Sequence, residues 1–179
     1  MALKPTIFKF KIALSDLDRH VYDTLDLTVA QHPSENTERM MARVLAYCLN
    51  CTEGLAFTKG LSTPDEPDVW CKSLDDQLLL WLDVGEPSAD RIKKATRLSD
   101  QVKVYSFNAK TDVWWGQESG AFSGLATEVW KFPWETIQQL AEMVERTMDF
   151  SVTVSASSLY VATASGDCEI ACLPLQLLD

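Results

Sequence analysis

The middle of the sequence contains an unbroken run of five large apolar residues, Leu78 to Leu82. A strand with one face in water alternates between apolar and polar residues, so this run predicts a strand covered on both faces. It ends at Asp83, and Pro87 and Ser88 then signal the start of a helix. Val102 to Phe107 predicts a second strand directly after that helix. Strand, helix and strand at this spacing indicate a βαβ unit, and therefore an α/β fold.

The N-terminal part begins with two segments of alternating apolar and polar residues, Thr6 to Leu14 and Leu25 to Ala30. This alternation predicts two half-buried strands that pair with each other across the loop between them. A helix is predicted next, with Ser34 as its N-cap and Asn50 near its end. Four of its residues form an apolar stripe, and two arginines are expected to project elsewhere: Met41, Val44, Leu45 and Cys48 in the stripe, Arg39 and Arg43 outside it.

The rest of the chain predicts shorter elements. In the helix after the apolar strand, Ile92, Ala95 and Leu98 are expected to face inward and the basic residues outward. A short helix at 112–117, a strand at 125–131, a helix at 133–146 and three antiparallel strands between 149 and 173 follow. Because no repeat or long linker interrupts the sequence, we expect one domain, 1–179, built as a mixed β-sheet flanked by helices.

The composition excludes some classes of protein. The chain has 179 residues, of which 46% are hydrophobic, which is enough for a sizeable core. Its net charge of −10 would repel phosphate backbones, so a general nucleic-acid coat protein is excluded, although a nuclease with a local basic patch is not. Since a membrane-spanning helix takes about 20 apolar residues, the apolar run at 78–82 is far too short to cross a bilayer.

The cysteines point to a reducing compartment. Their number is odd, at five, and no export signal precedes them, so we expect free thiols and a cytoplasmic protein. Cys48 and Cys51 form a CxxC pair, which would suit a zinc or redox site if both thiols were exposed. Because Cys48 lies on the apolar stripe of the first helix, packing in the core is the favoured interpretation.

Acidic residues stand at several positions that suit a ligand site. Asp83 ends the apolar strand, where α/β folds bind ligands, although it would equally serve as a helix cap or lie in solvent. Glu38 continues the apolar stripe of the first helix, and its alternative role is to interact with the helix dipole. The loop Asp65-Glu66-Pro67-Asp68 brings further acids near the strand, as do Asp75 and Asp76, although such loops are usually just solvated.

Lys94 completes this candidate site. It follows Asp83 by one loop and two helical turns, so it can reach back to the strand end, or else lie on a solvated helix face. Two or three carboxylates from Glu38, Glu66, Asp68 and Asp83 would bind Mg²⁺ or Mn²⁺ through oxygen. Such a metal polarises a phosphate and activates a water, while a lysine steadies the developing charge.

The sequence resembles the bacterial YaeQ proteins over nearly its whole length, with motifs in the family's order. The matching segments are His32-Pro33-Ser34-Glu35, Glu38-Arg39-Met40-Met41, Phe57-Thr58-Lys59-Gly60-Leu61-Ser62, Asp65-Glu66-Pro67 with Trp70, Leu80-Trp81-Leu82-Asp83-Val84-Gly85-Glu86-Pro87, Arg91-Ile92-Lys93-Lys94-Ala95 and Trp114-Trp115. The resemblance implies a variant of the PD-(D/E)XK restriction-endonuclease-like fold. By motif position, Glu38 matches the helix acid of that superfamily and Asp83 the strand acid.

The chain departs from the superfamily's pattern at two points. Gly85 stands two residues after Asp83, where the catalytic lysine is expected, so Lys94 is the candidate for a migrated lysine. The earlier aspartate has three competing matches, Asp68, Glu66 and Asp76.

Two functions follow from the resemblance. One is a metal-dependent phosphodiesterase or nuclease that acts on nucleic acid with Glu38, Asp83 and one acid from residues 65–76, and with Lys94 assisting. The other is a catalytically inactive binding or regulatory protein that acts through a protein partner. The missing lysine and the acidic charge favour the second, whereas the arrangement of acids favours the first.

Overall fold

The computed structural model describes residues 3–179, apart from the side chain of Ser62, and shows a mixed α/β fold. The strands among these residues are β1 (Thr6–Asp16), β2 (Val21–Gln31), β3 (Leu55–Phe57), β4 (Val69–Lys72), β5 (Leu78–Val84), β6 (Ser99–Ser106), β7 (Glu128–Lys131), β8 (Thr147–Ser155), β9 (Ser158–Thr163), β10 (Gly166–Ala171) and β11 (Leu173–Gln176). The helices are α1 (Thr37–Leu49), α2 (Ala89–Leu98), α3 (Thr111–Phe122) and α4 (Trp134–Glu142), with a 3₁₀ turn at Gly60–Ser62. None of the helices within residues 3–179 is long and apolar enough to cross a membrane.

The chain forms two compact units, each with its own sheet. The first unit contains the described residues up to Cys51 together with Pro133–Cys172, and the second contains Thr52–Phe132 and Leu173–Asp179. The sequence predicted a single mixed sheet, which is wrong: one sheet has the order β10-β9-β8-β1-β2 and the other β11-β7-β6-β5-β4-β3. The alternation of apolar and polar residues in a sequence identifies strands. It does not encode which strands pair with each other, because that pairing joins residues far apart in the chain.

The sheet of the first unit has one of its two faces in the core. The predicted pairing of the first two strands is confirmed, because β1 and β2 run antiparallel from Thr6 opposite Gln31 to Asp16 opposite Val21. Alternate residues of β1 enter the core, and α1 and α4 pack in the same unit. β8 lies parallel to β1 and begins the predicted C-terminal set of antiparallel strands, which continues through β9 and β10.

The second unit contains the predicted βαβ segment. β5 lies between β4 and β6 and is parallel to β6, which confirms that the apolar run forms an interior strand. Side chains of α2 and α3 cover one face of this sheet through a core of Trp81, Ile92, Ala95, Val102, Val104, Phe122 and Val129. β4 runs antiparallel to β5, with Val69 opposite Leu82.

The start of α1 differs from the prediction. Asn36 rather than Ser34 is the N-cap, and its side chain accepts a hydrogen bond from the backbone N–H of Arg39 at 2.8 Å. The Ser34 hydroxyl instead lies 2.7 Å from His32 Nδ1 in the turn that precedes the helix. Both residues suit an N-cap, so the choice between them depends on where that turn ends.

Two other helices have different lengths from those predicted. α3 continues to Phe122, five residues beyond the predicted end at Gln117, because Phe122 packs against Trp114 and Trp115 in the core. α4 ends at Glu142 rather than Arg146. The chain must leave the helix there because the carbonyl of Arg146 accepts a hydrogen bond from the backbone N–H of Lys9 at 2.8 Å as β8 joins the sheet.

The connection from β5 to α2 depends on a glycine. Gly85 has φ of +119°, a backbone region that other residues rarely adopt, and its N–H donates to the carbonyl of Tyr105 at 2.8 Å. The chain then turns into α2, where the Ser88 hydroxyl caps the helix by accepting from the N–H of Arg91 at 3.2 Å. This turn places the first turn of α2 beside the end of β5.

Candidate functional site

Asp83 lies at the end of β5, on the side of the sheet that α2 covers. Its neighbours in the strand are apolar, and the residue itself is only 3% exposed. Arg91, in the first half of α2, donates to both of its carboxylate oxygens: Nε lies 2.7 Å from Oδ2 and Nη2 lies 3.2 Å from Oδ1. A planar guanidinium matches a carboxylate in this two-point geometry, so the buried acid has a directional partner.

Arg91 also binds the loop that precedes β4. Its Nη1 donates to the carbonyl of Pro64, and its Nη2 donates to the carbonyl of Glu66 at 2.8 Å. The guanidinium carbon lies 5.6 Å from the centre of the Trp81 ring. One side chain therefore joins the strand end, the loop and the helix.

Asp68 is the second buried acid at this end of the sheet. Because Val69 lies opposite Leu82, the antiparallel register brings Asp68 alongside Asp83. Asp68 Oδ2 accepts a hydrogen bond from the backbone N–H of Val84 at 2.8 Å, and the residue is 6% exposed. The structure thus selects Asp68 from the three competing acids as the neighbour of Asp83.

Burial determines how Asp83 titrates. Loss of water around the carboxyl raises the pKa of Asp83 above its ordinary value of 3.8, and this outweighs the opposing hydrogen bond and charge of Arg91. The negative charge of Asp68 raises the pKa of Asp83 further. The hydrogen bond to Asp83 in turn raises the pKa of Arg91, which therefore stays charged.

The sequence predicted that the side chains of Lys94 and Glu66 contribute directly to the site at Asp83, and the structure places both residues differently. Lys94 is exposed and lines a groove beside Arg91, and the basic partner that contacts Asp83 is Arg91. The expectation that the basic residues of α2 all face outward is wrong for Arg91, because the buried carboxylate attracts its guanidinium. Glu66 contributes its main-chain carbonyl to Arg91.

Glu38 is half-buried in the first turn of α1 and belongs to the first unit, whereas Asp83 belongs to the second. Among the described residues, no group of three or more His, Cys, Asp or Glu side chains is arranged to hold a metal ion. Both oxygens of Asp83 already accept hydrogen bonds from Arg91, so the arrangement around Asp83 does not fit a divalent cation as it stands. The predicted metal site that combines Glu38 with Asp83 stays a prediction.

Comparison with known proteins identifies the family. The model of the family described as "YaeQ protein" matches residues 1–172. The chain belongs to the YaeQ family. It is 37% identical to the uncharacterized protein YaeQ of Salmonella typhi, and 34% identical to that of Escherichia coli K12, each over 172 residues that cover 95% of both chains.

Crystal structures of YaeQ proteins have the same fold. The structure from Pseudomonas syringae superposes with a TM-score of 0.92 at 36% identity and covers 97% of each chain. The structure from Xanthomonas axonopodis pv. citri gives a TM-score of 0.93 at 30% identity, covering 97% of this chain and 99% of that one. These comparisons confirm the family and the mixed α/β fold.

This YaeQ family chain contains a second buried ion pair that the sequence did not predict. Glu35, just before α1, binds Arg43 through both oxygens: Nη2 lies 2.6 Å from Oε1 and Nε lies 2.9 Å from Oε2. Arg39 Nη1 lies 2.6 Å from Oε2 of the same carboxylate. Arg43 also donates to the carbonyl of Ala30 at 3.0 Å, which ties α1 to β2. The sequence placed Arg39 and Arg43 outside the apolar stripe of α1, and the structure shows that Arg43 is nevertheless buried.

The CxxC pair is buried, as the helix pattern of this YaeQ family chain predicted. Cys48 lies on the buried side of α1, Cys51 follows the helix, and both are free thiols. Burial raises the pKa of the Cys48 thiol well above its ordinary value, which leaves it protonated and unreactive at neutral pH. This arrangement supports packing rather than redox chemistry.

Proposed function

We propose that this chain is a catalytically inactive binding protein on a scaffold derived from the PD-(D/E)XK nucleases, and that it acts through a protein partner. The single observation that carries the proposal is the pairing of Arg91 with both oxygens of Asp83. In a metal-dependent enzyme of this type, that carboxylate would have to bind the cation. Here its charge is already balanced by a side chain of the same unit.

The energetics favour the ion pair over a bound metal. A cation that entered between Asp68 and Asp83 would have to displace Arg91 from Asp83 and also from the carbonyl of Glu66. Breaking a buried ion pair costs several kcal/mol, although the cost is lower here because the Arg91 side chain is 33% exposed. Gly85 stands at the position of the lysine that would assist catalysis, and the basic side chain that contacts Asp83 is Arg91.

The charge of the chain favours a protein over a nucleic acid as partner. A net charge of −10 repels a phosphate backbone at long range, whereas it permits association with a protein through one local patch. The acid pair then has a structural role: with Arg91 it fixes the loop before β4 against α2.

The alternative is a phosphodiesterase or nuclease dependent on Mg²⁺ or Mn²⁺. It is favoured by one specific observation, which is that the register of β4 and β5 sets two buried acids, Asp68 and Asp83, side by side. In that case the two carboxylates would be metal ligands and Lys94 would steady the charge on a phosphate. Arg91 would have to leave Asp83 before the metal binds.

Two measurements decide between these functions. Wild type, Asp83→Ala and Asp68→Ala are purified identically and incubated with Mn²⁺ and single-stranded, double-stranded or branched DNA and RNA. We expect wild type to cleave none of these substrates faster than the two variants do. Metal-dependent cleavage by wild type that falls at least about a hundredfold in both variants would overturn the proposal, because loss of a metal ligand removes the Lewis acid and the activated water.

Thermal unfolding with Mn²⁺ tests the role of Arg91 directly. We expect Mn²⁺ to leave the Tm of wild type unchanged and to raise that of Arg91→Met, in which the Asp83 carboxylate has lost Arg91 and is repelled by the charge of Asp68. Arg97→Met is the control for loss of an exposed arginine on the same helix. A rise in wild type that is absent from Asp83→Asn would show that a metal already competes with Arg91, and it would support the catalytic alternative.

A further inference from the structure

A pocket of about 370 Å³ lies in the first unit, on the face of β8, β9 and β10 that is turned to solvent. On β9 the buried residues Leu159 and Val161 alternate with the exposed residues Tyr160 and Ala162, which line the pocket. The strand register places six of the lining residues in two rows across the sheet: Ser151, Ala162 and Asp167, and next to them Thr153, Tyr160 and Glu169. The volume is within the range of about 300–1,000 Å³ found for ligand pockets.

Two carboxylates and an aromatic ring border this pocket. Asp167 and Glu169 are exposed at alternate positions of β10, and none of the ion pairs found within residues 3–179 engages either of them. Tyr160 is 45% exposed and lies opposite Glu169, whose negative charge raises the pKa of Tyr160. Carboxylates and an aromatic face are the groups that bind ammonium and guanidinium cations in proteins.

The surroundings of the pocket are acidic. β8, β9 and β10 with the turns that join them contain three acids and no lysine, arginine or histidine. α4, which packs against β10, adds Glu135 and Glu142 and no basic residue. β1 lies two strands from β9, and its Lys11 is opposite Asp149, the third acid. Arg146, directly before β8, donates to a carbonyl of β1. The pocket is therefore complementary to a positively charged group.

β10 is an edge strand of its sheet, and the two acids of the pocket also carry main-chain groups at the open edge. The N–H of Cys172 donates to the carbonyl of Ser157 at 3.0 Å, and hydrogen-bonded pairs alternate with other pairs along an antiparallel ladder. Asp167 and Glu169 therefore belong to pairs that exchange no hydrogen bonds, and their N–H and C=O groups point away from β9. No hydrogen bond found among the described residues engages these four groups. Such an edge is a template for another strand.

We infer that β10 binds an extended, basic segment of a protein partner, which pairs with the open edge and places one lysine or arginine side chain in the pocket. In strand addition of this kind, main-chain hydrogen bonds supply affinity and a side-chain pocket supplies specificity. The inference rests on the proposed function and deepens it, because it names the surface and the chemistry of the partner.

A second copy of this chain does not fit the same edge. Antiparallel pairing of two β10 strands about their centre places Asp167 or Glu169 of one copy opposite an acid of the other, and like charges in that position are destabilising. The net charge of −10 on each copy adds a long-range repulsion. A phosphate backbone is repelled by the same acids, so a basic protein segment is the occupant that the charges favour.

Fluorescence anisotropy with synthetic peptides tests the inference. The probe is a fluorescein-labelled peptide of about eight residues in which lysine alternates with valine. One companion peptide replaces the lysines by glutamine. The other keeps every side chain and methylates the main-chain nitrogens of the lysines, which removes the donors that would face β10. We expect the probe to bind wild type, and each companion to bind at least about fivefold more weakly.

Three variants and a control assign the binding to β10. Asp167→Asn and Glu169→Gln each remove a carboxylate and are expected to weaken binding of the probe about three- to tenfold. Tyr160→Leu removes the aromatic face and is expected to weaken it about two- to fivefold. Asp26→Asn makes the same change in net charge as Asp167→Asn at an exposed position on β2, the other edge strand of the sheet, and it should leave affinity unchanged.

Amide exchange measured by NMR tests the strand pairing separately. The N–H groups of Asp167 and Glu169 have no acceptor in the free protein and should exchange fast, and saturation with the probe should slow both at least about tenfold. The N–H of Cys168, between them, belongs to a hydrogen-bonded pair with Val161 and should exchange slowly with and without the probe.

Four results would overturn the inference. The first two are absence of binding, and binding that Asp167→Asn and Glu169→Gln leave unchanged. Loss of affinity in Asp26→Asn instead would place the peptide on β2. Equal binding of the methylated peptide, or unchanged exchange at Asp167 and Glu169 in the saturated complex, would indicate a site for a free cation without strand pairing. These failures are separate from failure of the proposed function, which is detected as metal-dependent cleavage.

Discussion

Arg91 and Asp83, eight positions apart, form a two-point ion pair that joins the first half of α2 to the end of β5. Asp83 is nearly inaccessible to water, whereas Arg91 is partly exposed. The pair therefore balances a buried charge with a partner that still contacts solvent. Its removal should have consequences for stability, for titration and for metal binding that can be measured separately.

Replacement of Arg91 by Met should lower the free energy of unfolding by about 2 kcal/mol. Loss of one partner leaves a buried, uncompensated charge, a defect that costs about 3–5 kcal/mol in fully buried pairs, and the partial exposure of Arg91 reduces it. Urea denaturation measures the change, with Arg97→Met as the control for an exposed arginine of α2. If Asp83→Leu, added to Arg91→Met, restores no stability, the cost does not come from the unpaired carboxylate.

The stability contributed by Asp83 should decrease as pH rises from about 4. Burial raises the pKa of Asp83 in the folded state above its ordinary value of 3.8. A group with a raised folded-state pKa contributes stability that is fully present below the unfolded-state pKa and is lost as pH rises through the folded-state pKa. The free energy of unfolding of wild type minus that of Asp83→Asn, which does not titrate, should therefore fall across this window.

A carboxyl NMR titration checks the same effect without unfolding. Asp83 should titrate above 3.8 in wild type and higher still in Arg91→Met, because the hydrogen bond and charge of Arg91 both lower the pKa of Asp83. A stability difference that rises with pH instead would mean that attraction to Arg91 outweighs the cost of burial.

The sequence predicted the strands and helices better than the partners of the side chains. The apolar run at 78–82 identified β5 as an interior strand, because a strand whose two faces are both covered by protein has no position for a polar residue that needs water. The helix signals at Pro87 and Ser88 likewise predicted the start of α2, which begins at Ala89. These features depend on local spacing, and local spacing is what a single sequence displays.

The contacts at the candidate site depended on information that a single sequence does not display. Asp68 could not be chosen from the competing acids because the register of β4 against β5 sets its place beside Asp83. A single sequence does not display that register. Arg91 was assigned to the outer face of α2 because the helix spacing places charged residues in solvent. The signal that could have revealed it was the buried acid itself, since a carboxylate ending an apolar strand needs a cation within reach.

The Glu35 carboxylate should be far more important for stability than the neighbouring Glu38. Glu35 is buried and binds two arginines, so Glu35→Gln leaves the buried Arg43 without its charged partner and should cost about 3 kcal/mol. Glu38→Gln is the matched control in the first turn of α1, where Glu38 is half-buried, and it should cost less than about 1 kcal/mol. Urea denaturation of both variants gives the comparison, and equal losses would show that the Glu35 cluster adds no stability.

Replacement of Gly85 by Ala should destabilise the protein by about 1–2 kcal/mol through its backbone alone. Gly85 has φ of +119°, which strains any residue with a Cβ, and a Cβ added there would meet no atom within 4 Å. Gly116→Ala is the matched control, because it also places a Cβ in open space but within α3, where Ala should add up to about 1 kcal/mol of stability. Opposite signs for the two substitutions in thermal unfolding would confirm that conformation, and not packing, requires glycine at the turn between β5 and α2. A Gly85→Ala variant as stable as wild type would mean that the turn relaxes, and the Ser88 cap and the Arg91–Asp83 pair should then be re-examined in that variant by amide exchange.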